Sequence, residues 1–149
     1  MKLSFIRRKS DHKVEPALKD DCKELMNAFQ GVLSWKWDSR FEIVLAEFSV
    51  EKKDSIHTIL RQYFSTTWDT SSIKKAPDTV KRINVYLGKL RPGQMLLTSS
   101  LGGDDYIFCA WWPWGNGKTI SVRIAPFYEK LSNSENVVYR KEKMAGSSF

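Results

Sequence analysis

The chain is poor in the residues that build metal sites, disulfide frameworks and catalytic triads. It has two cysteines and two histidines, and these residues lie far apart in the sequence. A zinc site needs several closely spaced Cys or His ligands, and a nucleophilic triad needs a base to activate its nucleophile. We therefore predict no metal ligand, no cofactor and no catalytic residue. Cys22 and Cys109 both lie in apolar patterns, so we expect reduced core thiols in a cytoplasmic protein.

Long apolar runs are also missing from the sequence. A membrane-spanning helix needs roughly 18 or more nearly continuous apolar residues, whereas the apolar stretch 106–114 is far shorter. The N-terminal segment turns basic directly after Phe5 and Ile6, so it lacks the apolar core of a secretory signal. The sequence therefore predicts a protein without a membrane segment that is not exported by that route.

The net charge of +7 is concentrated at the ends of the chain. Residues 1–13 contribute five basic and one acidic side chain, and residues 137–149 contribute three basic and one acidic side chain. The folded part is almost neutral, whereas a nucleic-acid-binding domain carries a basic excess on its own surface. We predict a flexible basic arm over 1–13, a single domain over 14–131 and an irregular C-terminal tail over 132–149.

Two amphipathic helices and a series of hairpins account for the apolar pattern. Helical spacing predicts helices over 18–29 and 51–64, and alternation predicts strands at 33–37, 41–48, 95–99, 106–112 and 118–124. Segment 78–90 fits a helix or a strand, and its β-branched and aromatic content favours a strand. We predict a single-domain α+β fold in which an antiparallel sheet of about five to six strands, built from hairpins, packs two main helices on one face.

The last hairpin gives the most detailed prediction. Asn116-Gly117 is a strong signal for a two-residue type I′ turn, and such a turn places Trp112 opposite Ser121. The hairpin face that holds Trp111 is then fully apolar and is expected to lie in the core. The opposite face combines aromatic rings with hydroxyl groups and an arginine, which indicates a contact surface.

This amphipathic face is the main candidate for function. Tryptophan and arginine are enriched at the energetic centres of protein interfaces. We therefore expect a non-enzymatic binding or accessory protein, of the adaptor, small-chaperone or inhibitor type, that docks a protein partner. Another tryptophan, in the polar segment 65–77, is included in the proposed surface. The predicted binding residues are Trp112, Trp114, Ser121, Arg123 and Trp68.

A basic cluster supports an alternative function. Between residues 74 and 91 the basic side chains outnumber the single acid, Asp78. This pattern is typical of a solvated surface, but it also suits a nucleic-acid or anion binder in which bases stack on tryptophan. An enzyme with unrecognised chemistry is the second alternative. The candidate anion-binding residues are Lys74, Lys75, Lys81, Arg82, Lys89 and Arg91.

Two further expectations concern stability. His57 shares a polar helical stripe with Lys53 and Arg61, so we expect it to be exposed. Its replacement by alanine should then cost less than about 0.5 kcal/mol. The terminal residues 1–13 and 140–149 have little apolar pattern, and we expect the fold to tolerate their removal.

Overall fold

The computed structural model describes Cys22 and residues 24–144, and a six-stranded antiparallel sheet forms its centre. The strands are β1 (Lys36–Asp38), β2 (Ile43–Ser49), β3 (Thr66–Trp68), β4 (Met95–Gly102), β5 (Asp105–Pro113) and β6 (Thr119–Phe127). Their order across the sheet is β1-β2-β6-β5-β4-β3. The predicted α+β class, with an antiparallel sheet of this size, is confirmed.

Helices cover both faces of this sheet. Helix α1 over 24–28 and helix α2 (Lys53–Tyr63) pack on the face that carries Trp111, here called the first face. Helices α3 (Asp78–Tyr86) and α4 (Asn133–Met144) pack on the opposite, second face. Within the described ranges, no helix combines the length and the apolar character that crossing a membrane requires.

The first face is built as the sequence predicts. Ile56 and Leu60 of α2, together with Leu25 of α1 and Phe29 directly after it, are fully buried against the alternate residues of the central strands. Each such side chain contributes about 1.5–3 kcal/mol when it leaves water. Ser49 accepts a hydrogen bond from the backbone N–H of Glu51 and so starts the short 3-10 turn that leads into α2. The two predicted main helices therefore share one face.

The prediction of a strand within 78–90 is wrong, because α3 occupies most of this segment. Ile83 is fully buried, whereas Val85, which a strand would place on the same side, is 59% exposed. Pro77 lies at the N-terminal cap, and Gly88, with φ +92°, follows the last turn. These start and stop signals outweigh the β propensity of the side chains between them.

The predicted irregular tail over 132–149 is also wrong in its greater part, because α4 forms there. The buried side chains of α4 are polar, Asn136 and Arg140, so no apolar periodicity reveals the helix. Asn136 accepts a hydrogen bond from the N–H of Tyr128 at 2.8 Å and donates to its carbonyl at 3.1 Å. A deletion from residue 140 onward would therefore remove a buried side chain. The predicted basic arm over 1–13 lies outside the described residues.

The β5–β6 hairpin has the predicted register but a different loop. Trp112 pairs with Ser121, and the backbone N–H of Trp114 donates to the carbonyl of Thr119 at 2.8 Å. Gly117, with φ +70°, is the one residue of the intervening loop with a positive φ, whereas a type I′ turn requires two. The longer loop still contains an even number of residues, so the same side chains face the core.

Candidate functional site

The second face of the sheet is open at the end that lies beyond α3 and α4. Trp114 is 44% exposed there, and its neighbour on the same face, Trp112, is half-buried. Glu47 of β2 is exposed, and Thr119 of β6 is half-buried. We call Trp112, Trp114, Thr119 and Glu47 the tryptophan surface.

A buried arginine supports the tryptophan surface from beneath. The guanidinium carbon of Arg123 lies 4.4 Å from the ring centre of Trp112. Arg123 Nε donates to Asp38 Oδ2 at 2.8 Å, and Nη1 donates to Ser121 Oγ at 3.1 Å. Arg123 is only 9% exposed and Ser121 only 2%. These two predicted binding residues therefore hold Trp112 in position and offer little surface of their own to a partner.

Phe41 extends this stack of rings and cations. Its ring meets that of Trp112 edge-to-face, with 5.5 Å between the ring centres. The Arg40 guanidinium lies 4.7 Å from the Phe41 ring centre, and that of Arg123 lies 5.6 Å from it. Contacts of this kind contribute about 0.5–2 kcal/mol each. Sequence reasoning missed Phe41, Arg40 and Asp38, because the contacts form between distant segments.

A cleft opens beside Trp112, between the C-terminal end of α3 and the start of β4. It has a volume of about 10 Å³, about the least room that one water molecule needs. Asn84 and Lys89 are its polar lining residues. The apolar lining residues are Leu87, Leu90, Met95, Leu96, Ala110 and Trp112.

Lys89 is held in an unusual backbone conformation at this cleft. Its φ is +68°, in the left-handed region that glycine prefers and lysine rarely adopts. The N–H of Lys89 donates to the carbonyl of Asn84 at 2.8 Å. The next N–H, that of Leu90, donates to Asn84 Oδ1 at 2.9 Å. These bonds close the end of α3 and fix the chain as it passes Trp112.

The basic cluster is divided among different roles and positions. Arg82 donates to the carbonyls of Glu129 at 2.7 Å and Leu131 at 2.9 Å, and its guanidinium lies 4.8 Å from the Phe127 ring centre. It therefore ties α3 to the segment that leads into α4. The exposed members fall into separate groups along the chain: Lys74 and Lys75 before α3, Lys81 within it, and Lys89 and Arg91 after it.

Trp68 lies away from the tryptophan surface. It belongs to the edge strand β3 and pairs with Leu96, so the whole of β4 separates it from β5. Its indole N–H donates to Thr98 Oγ1 at 2.9 Å, and its half-buried ring packs against the second-face core. Trp68 closes the edge of this core.

Arg140 is a buried cation with part of its hydrogen-bonding capacity unused. Nη1 donates to the carbonyl of Glu42 at 3.4 Å and to the hydroxyl of Tyr86 at 3.3 Å. Nε and Nη2 are buried without a hydrogen-bond partner. Burial lowers the pKa of the Arg140 guanidinium. The Glu42 carboxylate is engaged elsewhere, since it accepts a hydrogen bond from the Trp37 indole at 2.7 Å, which holds the pKa of Glu42 below its ordinary value.

The prediction that His57 is exposed is wrong. Its ring meets that of Trp111 edge-to-face with 5.3 Å between centres, and the side chain is half-buried. Nε2 is buried and has no hydrogen-bond partner. Lys53 and Arg61, on the same helical stripe, are exposed. The stripe is polar in sequence, but the large Trp111 indole extends far enough to cover part of it.

Across Cys22 and residues 24–144, no three His, Cys, Asp or Glu side chains come together in a way that could hold a metal ion. Cys22 and Cys109 are both buried, and burial raises the pKa of the free thiol of Cys109. No known protein family, no curated protein and no solved structure matches this chain.

Proposed function

We propose that this chain is a non-enzymatic binding protein that docks an acidic segment of a protein partner on the tryptophan surface. The observation that carries the proposal is Trp114, 44% exposed beside the half-buried Trp112 at an open end of the sheet. Exposed apolar patches mark interaction sites on soluble proteins. Tryptophan is enriched among the residues that dominate binding energy.

The support beneath Trp112 favours a contact role. The guanidinium of Arg123 is stacked on the indole at 4.4 Å and is itself fixed by Asp38 at 2.8 Å. A side chain that is already held in one position loses little conformational entropy when a partner binds. Trp112 and its support therefore form a rigid base beside the freer Trp114.

The charges around the surface favour an acidic partner. Lys89 lines the cleft beside Trp112, and Arg40 stacks on Phe41. Neither of these two cations has a carboxylate partner among the described residues. The nearby acids of β1 and β2 already bond basic side chains, at 2.8 and 3.3 Å. Free positive charge around an aromatic centre steers an acidic partner toward it.

Two observations support a protein partner over nucleic acid. The guanidinium of Arg82 donates hydrogen bonds to backbone carbonyls within the protein. The remaining basic residues of 74–91 are distributed along α3 and beyond both of its ends. A nucleic-acid site needs a continuous basic track. We also propose a reducing, cytoplasmic location, because Cys109 is a buried free thiol.

The test measures binding of a fluorescent glutamate–tyrosine copolymer to the full chain by anisotropy. Trp114→Ala should weaken binding about tenfold or more, as loss of an interface centre does. The free energy of unfolding should change by less than about 0.5 kcal/mol, because the side chain is exposed. Val85→Ala is the matched control, since it removes an exposed apolar side chain from α3, and it should leave binding unchanged.

An oligothymidylate provides the competing measurement. Tighter, Trp114-dependent binding of this single strand, with a steep loss of affinity as salt rises, would overturn the protein-docking proposal in favour of nucleic acid. Equal copolymer affinity for the wild type and Trp114→Ala would show that the tryptophan surface is not the docking site.

A further inference from the structure

We infer that the last turn of α4, residues 140–144, is a strap that lifts from the second face when the acidic segment docks on the tryptophan surface. This inference rests on the proposed function and names the regulation of that site. The two ends of α4 are held by buried polar side chains of different quality, Asn136 and Arg140. The strap is the end that is held less well.

The first turns of α4 are anchored by complete hydrogen bonding. The N–H of Ser132 donates to Glu135 Oε1 at 2.9 Å, and the N–H of Glu135 donates to Ser132 Oγ at 3.1 Å, which caps the helix. The side chain of Asn136 accepts from the N–H of Tyr128 at 2.8 Å and donates to its carbonyl at 3.1 Å. The hydroxyls of Tyr128 and Tyr139 also bond at 2.8 Å. This part of α4 therefore stays in place when the last turn moves.

The strap is held by Arg140, a fully buried side chain that is incompletely paired. Its Nη1 donates over long distances, 3.4 Å to the carbonyl of Glu42 and 3.3 Å to the hydroxyl of Tyr86. Nε and Nη2 have no hydrogen-bond partner within the described part of the chain. A buried donor without a partner opposes folding, and water satisfies it once it is exposed. Lifting of the strap therefore restores the hydration of the guanidinium.

Apolar packing does little to oppose this movement. Among residues 133–143, none belongs to the apolar cluster of the second face. Val138, the apolar residue two positions before Arg140, is 55% exposed. The ion pair between Lys141 and Glu42, at 3.5 Å, lies at the surface, where such pairs contribute little.

The rings beneath Arg140 lead to the tryptophan surface. The guanidinium carbon of Arg140 lies 5.4 Å from the ring centre of Tyr86. The hydroxyl of Tyr86 donates to the carbonyl of Phe41, and the two rings meet edge-to-face at 6.3 Å between centres. Phe41 in turn meets Trp112 at 5.5 Å. The strap thus covers one end of a continuous line of rings, and the other end of that line is the docking site.

The unused groups of Arg140 give an acidic partner a reason to favour the lifted strap. Nε and Nη2 share one edge of the guanidinium, and such an edge binds both oxygens of a carboxylate. This edge is buried while α4 is docked, and it becomes available to the acidic segment once the strap lifts. A ligand shifts an equilibrium only when it binds one state better. By linkage, a change that holds the strap down must weaken docking by the same factor.

The opening of the strap is tested by amide hydrogen exchange of the full chain, measured by NMR. Arg140→Met removes the guanidinium and leaves an apolar side chain that suits the buried position better than an unpaired cation. The amides of residues 140–144 should then exchange about tenfold more slowly than in the wild type. Lys141→Met is the matched control, because it removes the same charge from the next, exposed position, and it should change these rates by less than about twofold.

The coupling to docking is tested with the glutamate–tyrosine copolymer. At saturation it should speed exchange of residues 140–144 in the wild type about fivefold or more, while the amides of α2 stay unchanged. Arg140→Met should weaken copolymer binding about fivefold or more, the lower end of common coupling strengths. Lys141→Met should weaken it clearly less.

The outcomes separate this inference from the proposed function. Faster exchange in Arg140→Met, or failure of this variant to fold, would show that the guanidinium stabilises the docked helix and would overturn the strap. Trp114-dependent copolymer binding that leaves the exchange of 140–144 unchanged would overturn the coupling while the docking proposal stands. Slower exchange in Arg140→Met without any copolymer binding would overturn the proposed function and the coupling, and would retain the strap as a property of the free chain.

Discussion

The first face of the sheet is covered almost entirely by apolar contacts, whereas the second face combines apolar packing with buried charge and an open end. On the first face Val44, Val122 and Ile124 have no exposed surface. On the second face, Arg123 and Arg140 are buried cations. Apolar burial supplies most of the stability of a fold, whereas buried polar groups are stabilising only when they are fully paired. The second face is therefore expected to contribute less to the stability of the fold than the first face, and its open end leaves an aromatic surface exposed.

The largest difference between the two faces in the free energy of unfolding is expected for alanine variants of the adjacent tryptophans of β5. Trp111 is 5% exposed on the first face and packs edge-to-face on Phe48. Trp111→Ala should cost about 3–5 kcal/mol in the free energy of unfolding, as loss of a large buried aromatic does. Trp112→Ala should cost clearly less, because its ring is half-buried. Urea denaturation of both variants measures the difference, and equal losses would contradict this contrast between the faces.

The next largest loss of unfolding free energy is expected when the buried ion pair of the second face is broken. Arg123→Leu would leave the Asp38 carboxylate, whose side chain is 11% exposed, without its cation. We expect a loss of about 3 kcal/mol, the lower end of the range for a broken buried pair. Asp38→Asn should then cost less in the Arg123→Leu background than in the wild type. Additive losses in this double-mutant cycle would show that the two side chains are not coupled.

A smaller change in the free energy of unfolding is expected at His57, a polar residue that packs on the otherwise apolar first face. His57→Ala should cost about 1 kcal/mol because the ring covers Trp111. His57→Leu should cost less than His57→Ala, or stabilise the fold, since it keeps the contact and removes a buried nitrogen without a partner. Lys53→Ala, on the exposed part of the same stripe, is the control and should change stability by less than about 0.5 kcal/mol. A greater loss for leucine than for alanine would assign the nitrogen a stabilising role.

The smallest effect concerns the half-buried Asp105 at the start of β5. Burial raises its pKa above the ordinary 3.8, although it accepts the N–H of Glu129 at 2.9 Å. The folded protein therefore holds this proton more tightly than the unfolded chain does. The stabilisation of the folded state by this tighter proton binding is fully present below about pH 3.8, and it is lost as the pH rises through the folded-state pKa of Asp105.

Asp105→Asn makes this pH dependence measurable, because asparagine keeps the acceptor and does not titrate. The stability of the wild type relative to the variant should fall as the pH rises from about 3 to about 7. Urea denaturation at several pH values measures this difference in stability. Asp104→Asn is the control, because Asp104 is an exposed residue of the same turn. A relative stability that rises over this range would reverse the assigned direction of the shift.

The same contrast explains how far the sequence predicts the fold. First-face residues alternate with period two and are apolar, so the strands, α2 and the hairpin register follow from local pattern. On the second face, α4 buries Asn136 and Arg140, and a periodicity of polar side chains looks like solvent exposure. In α3 the β propensity of Val85 and its neighbours conflicts with the helix stop at Gly88. Such conflicts are decided by packing, which a single sequence does not display.

The candidate site is predicted in part for similar reasons. The register of β5 and β6 brings Trp112, Ser121 and the arginine of the next pair together, because one turn fixes all of these pairs. The partner of that arginine is Asp38, which lies 85 positions earlier in the chain. The cleft at Lys89 depends on the end of α3, which the sequence did not identify as a helix. Contacts across such separations leave no local signature.

The two outermost strands have a further consequence. β1 and β3 each contain three residues, whereas their inner neighbours contain seven and eight. A long, flat edge would invite another chain to continue the sheet, and short edges with charged or hydroxyl side chains discourage this. Lys36 on one edge and Thr66 and Thr67 on the other are exposed. The chain can therefore display tryptophan on one face without also offering a template on which its own copies would aggregate.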